Sequence, residues 1–439
     1  MIKDSPRRHR IYSTLIGVGI LSAITRGVGA FKDLAVGWRY GATSQVDQYI
    51  GIFALATWPA AIWQSILNLV LLPALTQKRK DPERTDDSFI AEIKTANRYA
   101  SLLIGTVLSV TVYSALIHTR VFQPNSTSLI AGALQLTALA WIIAVMSFEV
   151  ALQNTIVIER NPKLATAAEA IPSIAVLGIL LAGGETKANL PLIATAVGLT
   201  LQANIYWKIT GWSRLPLKGR LTFESTHWQR FKKGAVTIVI GQVFASSITI
   251  IDQLMAITMP SGSLTLMNYA SKISLLVNVI GATAITRTFL PAFAAEEDRN
   301  HGAKSNGPWK WLIHAVAAGV ASSLTAWAIA VIALPSIVTN GKLTAQQSSE
   351  ILRLLKYSLA QVPPYFGCML LVSSLAARGA YKRIAASGAM NLTVKGIILI
   401  LLFPVRELDK IPQSTAAMYW VSLIGLIVMT KAELKKRKL

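Results

Sequence analysis

Charge is scarce in this chain. Only 15% of its 439 residues are Asp, Glu, Lys or Arg, and 53% are hydrophobic, whereas soluble domains carry about 25% charged residues. A soluble chain of this length divides into polar-coated domains, and so much apolar sequence excludes that arrangement. Cysteine is nearly missing: Cys368 stands alone, so an intramolecular disulfide is excluded. Five histidines (His9, His118, His227, His301 and His314) lie too far apart for metal-ligand spacing. Acidic residues number 21 against 43 basic ones, giving a net charge of +22. In a soluble protein that balance points to nucleic acid, a partner the apolar fraction removes. No glycine-rich loop follows a strand, which argues against direct use of ATP. Gly27 and Gly29 sit inside an apolar run, where small residues permit close packing or bending of a helix. The short alternating segments of an outer-membrane barrel are also absent.

What remains is apolar sequence in long runs. A spanning helix needs roughly 20 mostly apolar residues, and twelve stretches qualify: 11–36, 46–76, 95–117, 127–158, 164–182, 190–207, 234–258, 263–294, 311–337, 347–377, 384–404 and 413–430. The backbone in lipid must satisfy its own hydrogen bonds, so each is helical. Several exceed the bilayer thickness, which predicts tilt or projecting ends. Arg7, Arg8 and Arg10 before the first run look like a signal-peptide start, but the run passes Arg26 without a small-residue cleavage site, so an uncleaved first helix is expected. Trp58-Pro59 and Pro363-Pro364 predict kinks. Trp38, Tyr40 and Trp207 lie near span ends and read as interfacial anchors. With the N-terminus inside, every cytoplasmic loop is richer in Lys and Arg than its external neighbours, including seven between Lys208 and Lys233. Both termini are then cytoplasmic, and the high basicity is an orientation signal and an attraction to anionic headgroups.

The first six spans map onto the last six at an offset of 218 residues. Leu72-Pro73-Ala74 falls on Leu290-Pro291-Ala292, and Arg160 falls on Arg378. An even number of spans per half makes the repeats parallel. The fold class expected is an all-α polytopic membrane protein of about twelve transmembrane helices in two parallel six-helix lobes, 1–217 and 218–439. Repeated bundles around a central site are a transporter architecture.

Charged residues inside spans are costly and mark function. At about 1.5 Å per residue, Arg26 lies roughly 20 Å into the first span, too deep to snorkel easily. Lys32-Asp33 sits near its external end, where snorkelling competes with a cavity role, and Asp47 opens the second span at the same level. Lys272 is roughly 13 Å down the eighth span by the same rise, and Lys395 is near mid-depth in the eleventh. Arg26, Lys32, Lys272 and Lys395 are therefore candidate cavity cations, with Asp33 and Asp47 as partners. Arg287, Arg353 and Lys356 lie near span ends and suit headgroup contact. Glu149 in the fourth span has no local partner and reads either as an ion or proton site or as the partner of Lys395. Asp252 reads as a helix-boundary residue. Surplus cations suit an anionic substrate such as a phosphate or pyrophosphate.

The run Thr25-Arg-Gly-Val-Gly-Ala-Phe-Lys-Asp33, followed by Tyr40-Gly-Ala, Asp47 and Leu72-Pro73, resembles the opening of the lipid II flippase (MurJ/MviN) family. Gly262-Ser-Leu-Thr, Asn268-Tyr-Ala-Ser-Lys272 and Phe289-Leu-Pro291 are similar to its second motif region. The resemblance implies the fold of the multidrug/oligosaccharidyl-lipid/polysaccharide (MOP) exporter superfamily: two six-helix lobes around a cationic cavity, working by alternating access in the bacterial cytoplasmic membrane. It implies export of an undecaprenyl-pyrophosphate-linked saccharide, with Arg26, Lys32 and Lys272 as the cations and Asp33 and Asp47 as their acids. This chain departs from the family in carrying lysine at 32 and 272, in having no arginine between Tyr40 and Lys78, and in having twelve spans where relatives often have fourteen. A related lipid-linked sugar of an exopolysaccharide pathway is thus compatible with the motifs. No cofactor is expected; membrane potential or a coupling ion would supply the energy, and a monomer suffices. The rivals are a drug or cation exporter of the same superfamily, which would need cavity acids in excess, a membrane polysaccharide polymerase or glycosyltransferase, which would need a sizeable external loop with a His/acid constellation, and a scaffold that transports nothing.

Overall fold

The computed structural model describes residues 6–71, 87–118, 129–182, 189–210, 239, 243–244, 246–300, 308–339, 341–402 and 407–436. Its regular secondary structure among these residues is helical. Helix α1 spans Pro6–Tyr40, α2 Ser44–Ile66 with a π-helical extension Leu67–Leu71, and α3 Asp87–His118. They are followed by α4 at Leu129–Arg160, the short pair α5 (Pro162–Ala168) and α6 (Ile171–Leu181), and α7 at Leu190–Thr210. Helix α8 is Ser246–Ile257, α9 Ser263–Asn300 and α10 Trp309–Thr339. Next come α11 at Ala345–Leu359, α12 at Val362–Ala377, α13 at Tyr381–Leu402 and α14 at Lys410–Lys436. Helix is present among the described residues of each of the twelve predicted spans. Among the described residues, eight helical segments are long and apolar enough to cross a bilayer.

Prolines decide where two spans break. Pro363 and Pro364 begin α12, where the first-turn positions need no backbone N–H, and the chain turns at Ala360–Gln361 instead of running on from α11. The predicted kink is therefore a full interruption. Pro172 does the same between α5 and α6. Asn161 caps α5 by accepting from the Leu164 amide at 3.2 Å. Pro59 lies inside α2 without ending it.

The chain forms two compact units, Met1–Arg39 with Ser44–Val243, and Tyr40–Thr43 with Phe244–Leu439. The boundary expected at 217/218 lies outside the described residues, as does the Leu72-Pro73-Ala74 motif. Each unit is organised around its fourth span. In the first unit α4 packs on α2, α3 and α7; in the second, α12 packs on α9, α10 and α14. Arg160 at the end of α4 donates to the Thr210 carbonyl (3.3 Å), and Arg378 after α12 donates to the Ser374 carbonyl (2.9 Å). The offset of 218 thus joins two arginines that each anchor the end of a fourth span. Helices approach closely where glycine faces a proline backbone: a Cβ on Gly319 of α10 would lie 2.6 Å from Pro363 Cα.

Candidate functional site

The first unit holds Arg26, Lys32, Asp33, Asp47 and Glu149. Arg26 lies near the middle of α1, about 21 Å from its Tyr40 end at the helical rise, and its residue is exposed. Its neighbour Thr25 is buried, and its hydroxyl donates to the Thr166 carbonyl of α5 at 3.2 Å. Arg26 is within electrostatic reach of Glu169, at the α5–α6 break. Glu169 in turn accepts from Asn154 at 3.1 Å, and Asn154 Oδ1 is 3.0 Å from the hydroxyl of the fully buried Tyr206. Glu169 was missed by the sequence reading; the signal was an acid next to a proline break inside an apolar span.

Lys32 does not snorkel. It is 8% exposed, its ammonium is 2.9 Å from Asp33 Oδ1, and it donates to the Tyr49 hydroxyl at 3.1 Å. It also lies over the rings of Phe53 (5.1 Å) and Tyr49 (5.7 Å). The pairing expected with Asp33 is therefore present, and the aromatic face of α2 completes it. Asp47 is half-buried near the start of α2 and has an interaction of its own.

Glu149 is buried and braces four helices. One carboxylate oxygen accepts from Trp207 Nε1 on α7 and Gln153 Nε2, each at 2.9 Å. The other accepts from Asn97 Nδ2 on α3 at 3.4 Å, and Asn97 Oδ1 accepts from Trp63 Nε1 on α2 at 2.7 Å. Three neutral donors hold the carboxylate, as a buried acid requires. Two expectations are corrected here. Trp207 turns its indole inward to Glu149 instead of serving as an interfacial anchor, and Lys395 pairs with Asp252, not with Glu149. Tyr40, also expected at the interface, is buried.

The second unit holds Lys272 and Lys395. Lys395 on α13 is 0% exposed. Its ammonium is 2.7 Å from Asp252 Oδ1 and from Ser414 Oγ, 3.3 Å from the Ile411 carbonyl, and also donates to Thr415 Oγ1. The Thr415 hydroxyl donates in turn to Asp252 Oδ2 at 3.0 Å. Asp252 is thus a charge partner deep in α8–α13–α14 packing, where a boundary role was expected. Lys272 lies on α9 in the wall of a cavity of about 230 Å³ within this unit, which Asp252 also lines. Lys395 is not in that wall. The candidate cavity cations thus differ in setting: Arg26 is exposed and Lys272 lines a cavity, while Lys32 and Lys395 are paired at close range with Asp33 and Asp252.

Two units, each built on a buried fourth span and carrying cations and acids inside apolar helices, define a polytopic transporter. The fold is shared with an inward-facing multidrug resistance MATE family transporter of the MOP superfamily, with a TM-score of 0.67, 12% identity, and coverage of 97% of this chain and 99% of that one. It is shared also with a structure titled lipid II flippase MurJ, inward closed conformation, with a TM-score of 0.75, 15% identity, and coverage of 96% and 90%. A MOP superfamily transporter from Pyrococcus furiosus is similar at a TM-score of 0.58 and 15% identity, with coverage of 97% and 96%. No curated protein sequence matches the chain. The sequence matches the family described as lipid II flippase MurJ over residues 41–439, and the chain belongs to that family.

Proposed function

We infer that the protein is a flippase of the bacterial cytoplasmic membrane that moves a polyprenyl-pyrophosphate-linked saccharide, lipid II or a related precursor, from the inner to the outer leaflet by alternating access. Family membership over residues 41–439 carries this reading. The placement of Arg26 supports it. An arginine exposed at mid-length of a membrane helix is costly against acyl chains and is tolerated where it meets water or a polar ligand. A guanidinium grips phosphate oxygens as a fork, so Arg26 is the phosphate contact of the first unit in this reading. Lys32 and Asp33 form a nearly neutral pair that holds the α1–α2 corner. Both termini face the cytoplasm, in keeping with the loop charges. The protein needs no covalent chemistry, since binding and a conformational change complete the transfer.

Depletion of the protein from cells that make it tests the reading. The lipid-linked precursor should accumulate on the cytoplasmic leaflet; unchanged leaflet distribution of every such precursor would refute it.

A further inference from the structure

Arg26 shares its level in the first unit with an acid. Helix α1 runs beside the broken span α5–α6, and three contacts set their register. The Thr25 hydroxyl donates to the Thr166 carbonyl at 3.2 Å, a Cβ on Gly29 would lie 3.8 Å from Ser173 Oγ, and the Arg39 guanidinium donates to the Leu180 carbonyl. The contacts advance in the same direction along both chain segments, so the two run parallel. Arg26 follows Thr25, and Glu169 stands one turn beyond Thr166 at the α5–α6 break. The two charges interact electrostatically, and both residues are exposed.

The fold holds Glu169 from behind. Asn154 Nδ2 of α4 donates to its Oε1 at 3.1 Å, and Asn154 Oδ1 is 3.0 Å from the Tyr206 hydroxyl of α7. That hydroxyl is also 3.0 Å from the Ala165 carbonyl of α5 and accepts from Gln202 Nε2 at 3.2 Å. Asn154, Gln202 and Tyr206 are buried. A buried polar network whose members are all paired is rigid, and this one ends on the carboxylate. Glu169 is therefore a fixed negative charge in the field of Arg26.

A guanidinium binds phosphate oxygens of any lipid headgroup, and anionic phospholipids surround a membrane protein in excess. A fixed carboxylate beside it weakens every such contact, because an incoming anion has to replace an interaction already made. Monoanionic headgroups then fall below the level at which they fill the site. A dianionic pyrophosphate, with twice the charge, still binds. We propose that Glu169 is a selectivity residue, competing with anionic ligands for Arg26 and so excluding monoanionic phospholipids while admitting a pyrophosphate-linked lipid. The proposal rests on the flippase reading and adds to it how the site rejects the bulk membrane.

The test measures equilibrium binding of a labelled polyprenyl pyrophosphate carrying one N-acetylhexosamine to the full chain, in phosphatidylcholine nanodiscs with and without phosphatidylglycerol. Without phosphatidylglycerol, Glu169→Gln should bind the probe about fivefold more tightly than wild type, the scale of one ion pair released. Phosphatidylglycerol should cancel that gain in the variant and leave wild-type binding unchanged. Glutamine keeps an oxygen that accepts from Asn154, so the variant should fold as wild type does. In an Arg26→Ala background, Glu169→Gln should confer no gain. Equal or weaker binding by Glu169→Gln without phosphatidylglycerol, the same response of both proteins to that lipid, or a gain that persists without Arg26 would overturn the role of Glu169. Binding of the probe by neither wild type nor Glu169→Gln would refute the flippase reading itself.

Discussion

Lys395 shows how a charge in a membrane helix becomes structural. Its ammonium is enclosed by a carboxylate, two hydroxyls and a carbonyl, and nothing of it is exposed. Removing one member of such a pair strands the other, at a cost of about 3–5 kcal/mol. Lys395→Met is therefore expected to lower the melting temperature of the purified protein markedly. Adding Asp252→Asn should restore most of it, because the double variant buries no charge. Additive losses in that double-mutant cycle would mean that the two groups are not coupled. The sequence made the charges conspicuous but not their partners. Lys32 and Asp33 are adjacent, so their pairing was legible. Asp252 and Lys395 lie 143 positions apart, and no periodicity or spacing connects them. The same holds for Glu149, whose donors come from three other positions on α3, α4 and α7.

At the scale of the element, apolar length alone located the helices, because lipid admits no other backbone solution for such runs. Local chemistry located one break of two. Adjacent Pro363 and Pro364 announce themselves, whereas single Pro172 ends α5 only with the help of the turn at Glu169–Ala170. The π-helical turn at Leu67–Leu71 has no sequence signature. Close helix contacts depend on absent side chains. Gly319 lets α10 approach the start of α12, and a larger residue would meet Pro363 backbone that cannot rotate away. Gly319→Val should destabilise the second unit by about 1–3 kcal/mol, as overpacking does. Fluorescence-detected gel filtration of detergent extracts would show a reduced monodisperse peak. An unchanged peak and melting temperature would mean that α10 and α12 are less tightly joined than the structure has them.

At the scale of the molecule, the two halves repeat one pattern of packing. One offset relates the halves, and in each half the fourth span is the member against which the others pack, with an arginine closing its end. The family was legible, from the runs around Arg26, Asp47 and Lys272. The division of labour among the cations was not. Two of the four expected cavity cations, Lys32 and Lys395, are tied to acids, and the proposed transport role turns on Arg26. The most direct test is translocation of a fluorescent polyprenyl-pyrophosphate-linked saccharide by the purified chain in sealed vesicles, comparing wild type with Arg26→Ala at equal amounts of folded protein. The wild-type chain should move the lipid between leaflets, and the variant should do so at least about tenfold more slowly, since an arginine–phosphate fork is lost. Equal rates for the two proteins would contradict the assignment of Arg26 to the transport site.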